Sequence, residues 1–184
     1  MRNLIFLLLA GSLLAQAPVG VDQAFFKGDP RVVMAGCADR ARAIKPKDSR
    51  LLAEYGRAYL ASGDRAKAEG AFTEALVDDP KDGETHRLIA YAWLKNGFKP
   101  EAVAALDKMV ILDPKAKNAF AKAAVNLMDA GMADKAVELM KRAWILDPKD
   151  WQNCAAFTRA AVRSGKLELA AEWAMHTVEA KPRE

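Results

Sequence analysis

Prolines at 46, 80, 114, 148 and 182 stand 34 residues apart, and glycines at 63, 97, 131 and 165 keep the same step. A lattice of that length fixes the class of fold before any single residue is weighed, because self-similarity at such a period marks a stacked array. The local sequence gives the period a mechanism. Each proline closes an apolar-rich stretch such as Trp144-Ile145-Leu146-Asp147-Pro148, and proline cannot extend a helix because it lacks the donor N–H. Each glycine closes another such stretch, where it can adopt the left-handed conformation that ends a helix. One period therefore reads as helix, glycine turn, helix, proline turn. Asp48, Asp82 and Asp150 follow three of the prolines and stand where the next helix needs an N-cap. The turn after Pro114 has Ala116 instead, so Asn118 or water is expected to cap there. Asp64 suits the N-cap of a second helix and Pro100 the first turn of another.

The interior positions repeat as well. Ala68, Ala102, Ala136 and Ala170 form one small-residue column, and Gly56, Ala90 and Ala124 another. Two helices of a hairpin that cross closely leave room for nothing longer. Tyr59, Trp93 and Leu127 fill wider gaps on first helices, and Phe72, Leu106 and Met140 on second helices. This register resembles the tetratricopeptide repeat family, whose motif has the same period and ends on proline. The clearest unit is 49–82, with Gly56, Tyr59, Ala68, Phe72, Ala75 and Pro80 at the signature places. Further units run 83–116, 117–150 and 151–184, the last with Thr158, Ala161, Ala174 and Thr177 in the signature columns. A partial unit, 18–48, precedes them, with a second helix over roughly 31–44 and a short first helix before Gly28. The resemblance implies an all-α fold, an α-solenoid of helix hairpins wound into a right-handed superhelix.

Residues 1–17 stand outside that fold. Arg2, the apolar run Leu4 to Leu14 and the small-residue exit Ala15-Gln16-Ala17 have the outline of a secretory signal peptide. Pro18 after Ala17 is a poor neighbour for signal peptidase, which leaves cleavage after Ala15 or retention as an anchor as alternatives. The expected location is periplasmic or secreted. About 165 residues remain, one domain by length. The net charge of +4, one less once Arg2 is removed, is too mild to imply nucleic acid.

Catalytic and metal chemistry find no foothold. His86 and His176 lie far apart, no paired-histidine or Cys-x-x-Cys spacing occurs, and every lattice glycine is a single helix stop, not a phosphate loop. Cys154 and His176 share a repeat, but packing for the cysteine and solvent for the histidine account for both. Cys37 and Cys154 fall at opposite ends of the array, too far apart for a bridge that needs Cα atoms within about 7 Å. Cys154 reads as a small buried hydrophobe, and Cys37 as the thiol open to an intermolecular bridge. The sequence calls for no cofactor and describes a binding module, not an enzyme.

In the resembled family the first helices line a concave groove. Helical spacing places Arg50, Glu54, Arg57 and Leu60 on that side, then Glu84, Arg87, Tyr91, Leu94 and Lys95. Asn118, Lys122, Val125, Met128 and Asp129 continue it, followed by Gln152, Arg159, Val162 and Arg163. Cations outnumber acids there, and the column Leu60–Leu94–Met128–Val162 runs beside them, either as ligand contact or as packing between neighbouring first helices. Such a strip suits a peptide or protein partner with acidic and apolar side chains, with Tyr91 as its anchor. Some family members clamp a C-terminal carboxylate with lysines and asparagines. Ala53, Arg57, Leu88, Asn118 and Lys122 fill the corresponding places, and only Lys122 suits that task. The final helix carries Trp173 and Met175, a possible end contact for self-association or docking. Two functions follow: an exported adaptor holding a segment of an envelope complex, with pilus, secretion or cytochrome-assembly machinery as partners the resemblance implies, or a structural protein acting through its ends.

Overall fold

The computed structural model describes residues 27–181. Within them the chain forms nine α-helices and no strand. These are α1 (Pro30–Ile44), α2 (Ser49–Ser62), α3 (Arg65–Asp78), α4 (Gly83–Lys95), α5 (Lys99–Leu112), α6 (Lys117–Asp129), α7 (Ala133–Leu146), α8 (Trp151–Arg163) and α9 (Leu167–Ala180). The helix expected before Gly28, Phe25-Phe26 and the N-terminal apolar run lie outside the described residues. No described helix is long and apolar enough to cross a membrane.

Both kinds of turn are formed by the residues the lattice marks. Gly63 takes φ 91°, and Gly97, Gly131 and Gly165 take 84°, 75° and 69°; no other described residue has a positive φ. At Gly63 the amide donates to the Leu60 carbonyl (3.0 Å) and that of Asp64 to the Tyr59 carbonyl (2.9 Å). These two bonds satisfy carbonyls the helix end would otherwise orphan, and the pair recurs at the other three glycines. The helix starts are capped from the side chain where an aspartate is available. Asp48 accepts from the Leu51 amide (3.0 Å), Asp64 from Lys67 (2.9 Å) and Asp150 from Asn153 (3.1 Å). The start of α6 differs from expectation: Ala116 provides no side-chain cap, and Asn118 does not replace it. The Asn118 Oδ1 accepts instead from Asn153 of the next hairpin, at 3.4 Å.

Each second helix packs against its own first helix, and each first helix also packs against the first helix of the next hairpin. The first helices α2, α4, α6 and α8 therefore form a continuous inner row, with α3, α5, α7 and α9 behind them. The interior is built from the repeated columns. Ala68, Ala102 and Ala136 are fully buried, as are Leu106, Leu127 and Leu139. A buried Leu or Phe contributes about 1.5–3 kcal/mol through removal from water, so these columns dominate the stability of an array that has no single core. Gly56 shows how tight the crossing is. A Cβ placed on it would fall within 2.6 Å of Phe72 Cδ1 and closer still to Cε1.

Polar contacts recur across neighbouring hairpins as well. Arg65 reaches Glu101 (3.0 Å), Lys135 reaches Asp107 (2.9 Å) and Arg163 reaches Asp129 (2.8 Å), while Lys117 pairs with Asp147 within its own hairpin. Exposed pairs of this kind are each worth about 0–1 kcal/mol. They favour the register of one hairpin on the next more than they hold it there. One inter-repeat polar contact among the described residues is buried, between the Ser49 and Thr85 hydroxyls at 3.2 Å; Thr85 accepts there, since its proton goes to Asp82.

Candidate functional site

The inner row presents the residues the spacing placed on it, but with different freedoms. Leu60 and Met128 are buried and Leu94 is half-buried, whereas Val162 is 52% exposed. That gradient is the signature of packing. Each of the first three is followed by another first helix, and Val162 has none after it among the described residues. Leu60 and Met128 are therefore interior contacts between first helices, not ligand contacts. Tyr91 stays half-buried at the middle of the row, with Leu88 beside it on α4 and Val125 in the same register on α6. The Lys95 ammonium lies 5.6 Å from the centre of the Tyr91 ring.

The cations are largely spoken for. Arg57 pairs with Glu54 (2.6 Å), and Arg87 makes two bonds of 2.9 Å to both oxygens of Glu84. The side chain of Arg87 is only 11% exposed, so it serves as a brace for Glu84 and not as an open contact. Lys122 reaches the same carboxylate at 3.2 Å and keeps over half its side chain in solvent. Burial works against the charge on Glu84, but Arg87 and Lys122 overcome it and hold its carboxyl below the ordinary value. Arg159 is exposed and has no ion pair among the described residues. The groove charge is thus carried by Lys95, Lys122 and Arg159 more than by a uniform basic strip.

Arg50, Asn118 and Lys122 are brought together. They line a cleft of about 400 Å³ at the N-terminal ends of α4 and α6, with Asp82, Glu84, Asp113 and Lys117. Asp82 is the residue that organises it. Arg50 donates to its two oxygens at 2.9 and 3.0 Å, the Thr85 hydroxyl donates at 2.8 Å, and the Thr85 amide at 3.1 Å. Burial pushes its carboxyl up, and these donors outweigh that and bring it down to about 2. Asp113 accepts from the Gly83 amide at 3.2 Å. Helical faces do not single out Asp82, which the sequence marks as an N-cap, or Asp113 as lining groups, because both stand outside the helices. Their constant places beside the lattice prolines were the available signal.

The far end corrects two expectations. Trp173 is buried, its ring 5.3 Å from Phe157, 6.3 Å from Trp144 and 5.0 Å from His176. It fills the last hairpin and is not an end contact; Met175, 61% exposed, remains on the surface. His176 is not fully in water as expected but half-buried, its ring tilted against Trp144 at 4.7 Å. Cys154 is fully buried, and burial pushes its thiol up to about 11. It is neither near deprotonation nor accessible, which removes it as a nucleophile. Cys37 is half-buried.

The tetratricopeptide repeat family matches residues 55–117, from the middle of α2 to the start of α6. The hairpins beginning at Ser49, Gly83, Lys117 and Trp151 share one step, one glycine turn and one set of columns with that stretch. Residues 55–117 are tetratricopeptide repeat, and the fold is of that type throughout the described residues. Among solved structures, "Crystal structure of MamA" is similar over 88% of this chain and 96% of that one, at 19% identity and a TM-score of 0.51. "Crystal structure of MamA protein" is similar over 84% of each chain, also at 19% identity and a TM-score of 0.51. At that identity the likeness concerns the fold alone. No curated protein matches the chain in sequence.

Proposed function

We propose that this protein is an exported adaptor that holds a peptide segment or subunit of an envelope complex on its inner row of helices. The observation that carries the reading is Tyr91. It is a large amphipathic ring held half-buried at the centre of the row, with Lys95 over its face and the half-buried Leu88 and Val125 on the same row. Such a ring gives contact area at little entropic cost, and Lys122 and Arg159 supply positive charge for an acidic flank. Arg2, the apolar run from Leu4 to Leu14 and Ala15-Gln16-Ala17 support export. A second reading, self-association or docking through the last hairpin, is favoured by Val162, Met175 and Val178, which are 52%, 61% and 71% exposed.

The test is capture from the cell envelope with wild-type protein and with Tyr91→Ala and Lys122→Glu, followed by mass spectrometry of what co-purifies. Both changes are expected to deplete one common partner while the helical spectrum stays intact. An unchanged set of captured proteins overturns the inner-row reading. Light scattering across a dilution series tests the second reading, which a strict monomer refutes.

A further inference from the structure

Behind the inner row, α3 and α5 stand on either side of α4 without packing closely on one another. Between them lies a cleft of about 420 Å³, with His86, Ile89 and Trp93 of α4 as its floor and Leu76, Ala104 and Ala105 in its walls. The later hairpins carry different residues at the positions of the two alanines. In the register of Ala105 stand Leu139 and Trp173, which are 0% and 1% exposed and fill the corresponding space. In the register of Ala104 stand Glu138 and Glu172.

The pair of alanines has two consequences. It leaves this wall of the cleft lined by small residues, where the next two hairpins carry a glutamate followed by a leucine or a tryptophan. It also deprives Lys108 of an acid one turn earlier, where Arg142 in the same register has Glu138 at 3.5 Å. Lys108 is exposed and makes no hydrogen bond or ion pair among the described residues. The opposite end of the cleft is already neutralised, because Arg65 binds Glu69 (2.8 Å) and Glu101 (3.0 Å).

We propose that this cleft is a second docking surface, separate from the inner row, and that it takes an amphipathic helix of a protein partner. The flanking helices are 14 residues long, about 21 Å at 1.5 Å per residue. A guest helix of three to four turns lays its apolar stripe over Leu76, Ala104 and Ala105, and a carboxylate on its flank reaches Lys108.

The probe is a synthetic 14-residue helix with leucines at i, i+4, i+7 and i+11 and glutamates on the flanks, labelled and titrated by anisotropy against the full chain. It is compared with the same helix carrying lysine flanks and with a scrambled sequence. The glutamate-flanked helix is expected to bind at least tenfold tighter than either. Ala104→Glu with Ala105→Leu installs the residues of the next repeat, fills the cleft and satisfies Lys108; it should abolish binding without lowering thermal stability. Lys108→Glu should reverse the preference toward the lysine-flanked helix, and Tyr91→Ala should change nothing. Absent binding, equal binding of all three peptides, or binding lost with Tyr91→Ala but kept in the alanine-pair variant overturns the proposal.

Discussion

Replacing Asp82 separates what a cap contributes from what a charge contributes, because this side chain does both. It caps α4 through the Glu84 and Thr85 amides, receives the Thr85 hydroxyl and holds Arg50 across the hairpin boundary. Asp82→Ala removes the cap, worth about 1 kcal/mol. Thr85 keeps Ser49 as a partner, so no buried hydroxyl is orphaned. Arg50 is 59% exposed, which limits its share to about 1 kcal/mol or less. The sum is about 2 kcal/mol. Linkage gives a similar figure independently: a carboxyl held at about 2 instead of 3.8 stabilises the fold by about 2 kcal/mol where it is ionised. The folded value is depressed, so this stability is present above about pH 4 and is lost as pH falls toward 2. Asp82→Asn keeps a good cap and loses the charge. Urea denaturation followed by circular dichroism at pH 7 and near pH 2 should therefore show three behaviours. Asp82→Ala is weaker by about 2 kcal/mol at pH 7, equivalent to about 4–8 °C in Tm for a chain of this size. Asp82→Asn is weakened less, and it loses less stability on acidification than wild type. Other lowered carboxyls, among them Asp39 and Asp147, titrate alike in both and cancel in the difference. A cost below about 0.5 kcal/mol for Asp82→Ala, or identical acid dependence for Asp82→Asn and wild type, refutes the reasoning.

Three further outcomes follow from packing. Gly56→Ala should cost about 1–3 kcal/mol, since its methyl meets the Phe72 ring; adding Phe72→Leu should recover most of it in thermal melts, because Ala90 with Leu106 is the same pairing one repeat on. Gly131→Ala, at φ 75°, should cost about 1–2 kcal/mol, read as a lowered urea midpoint with an unchanged slope. Thiol titration at mild alkaline pH should find Cys154 silent in the folded protein and reactive after denaturation, as expected of a thiol that is fully buried and raised to about 11; a Cys154 that reacts at the free-thiol rate contradicts the packing.

What could be read from the chain alone divides along a physical line. The turns were legible because a proline that cannot donate and a glycine at positive φ are local requirements, visible wherever they recur. The columns were legible because 34 residues return a side chain to the same face, so Ala68 predicts the burial of Ala102 and Ala136. Partnership is a different matter. Leu60, Leu94 and Met128 share one periodic position, and only the arrival of the following helix tells packing from display, which is why Val162, in the same column, is the one left open. The charges of the inner row had the same ambiguity. Arg87 and Lys122 both meet Glu84, yet one is 11% exposed and the other 55%, a distinction set by how far each stem must reach from its own helix. The cleft beside Lys108 was hidden for the opposite reason. Its alanines continue the small Gly70–Ala71 pair of the preceding repeat, and only Leu139 and Trp173 show that the column grows large after them. In a repeat array the shared residues build the scaffold, and the departures from the shared pattern are where an individual chain can carry a site of its own.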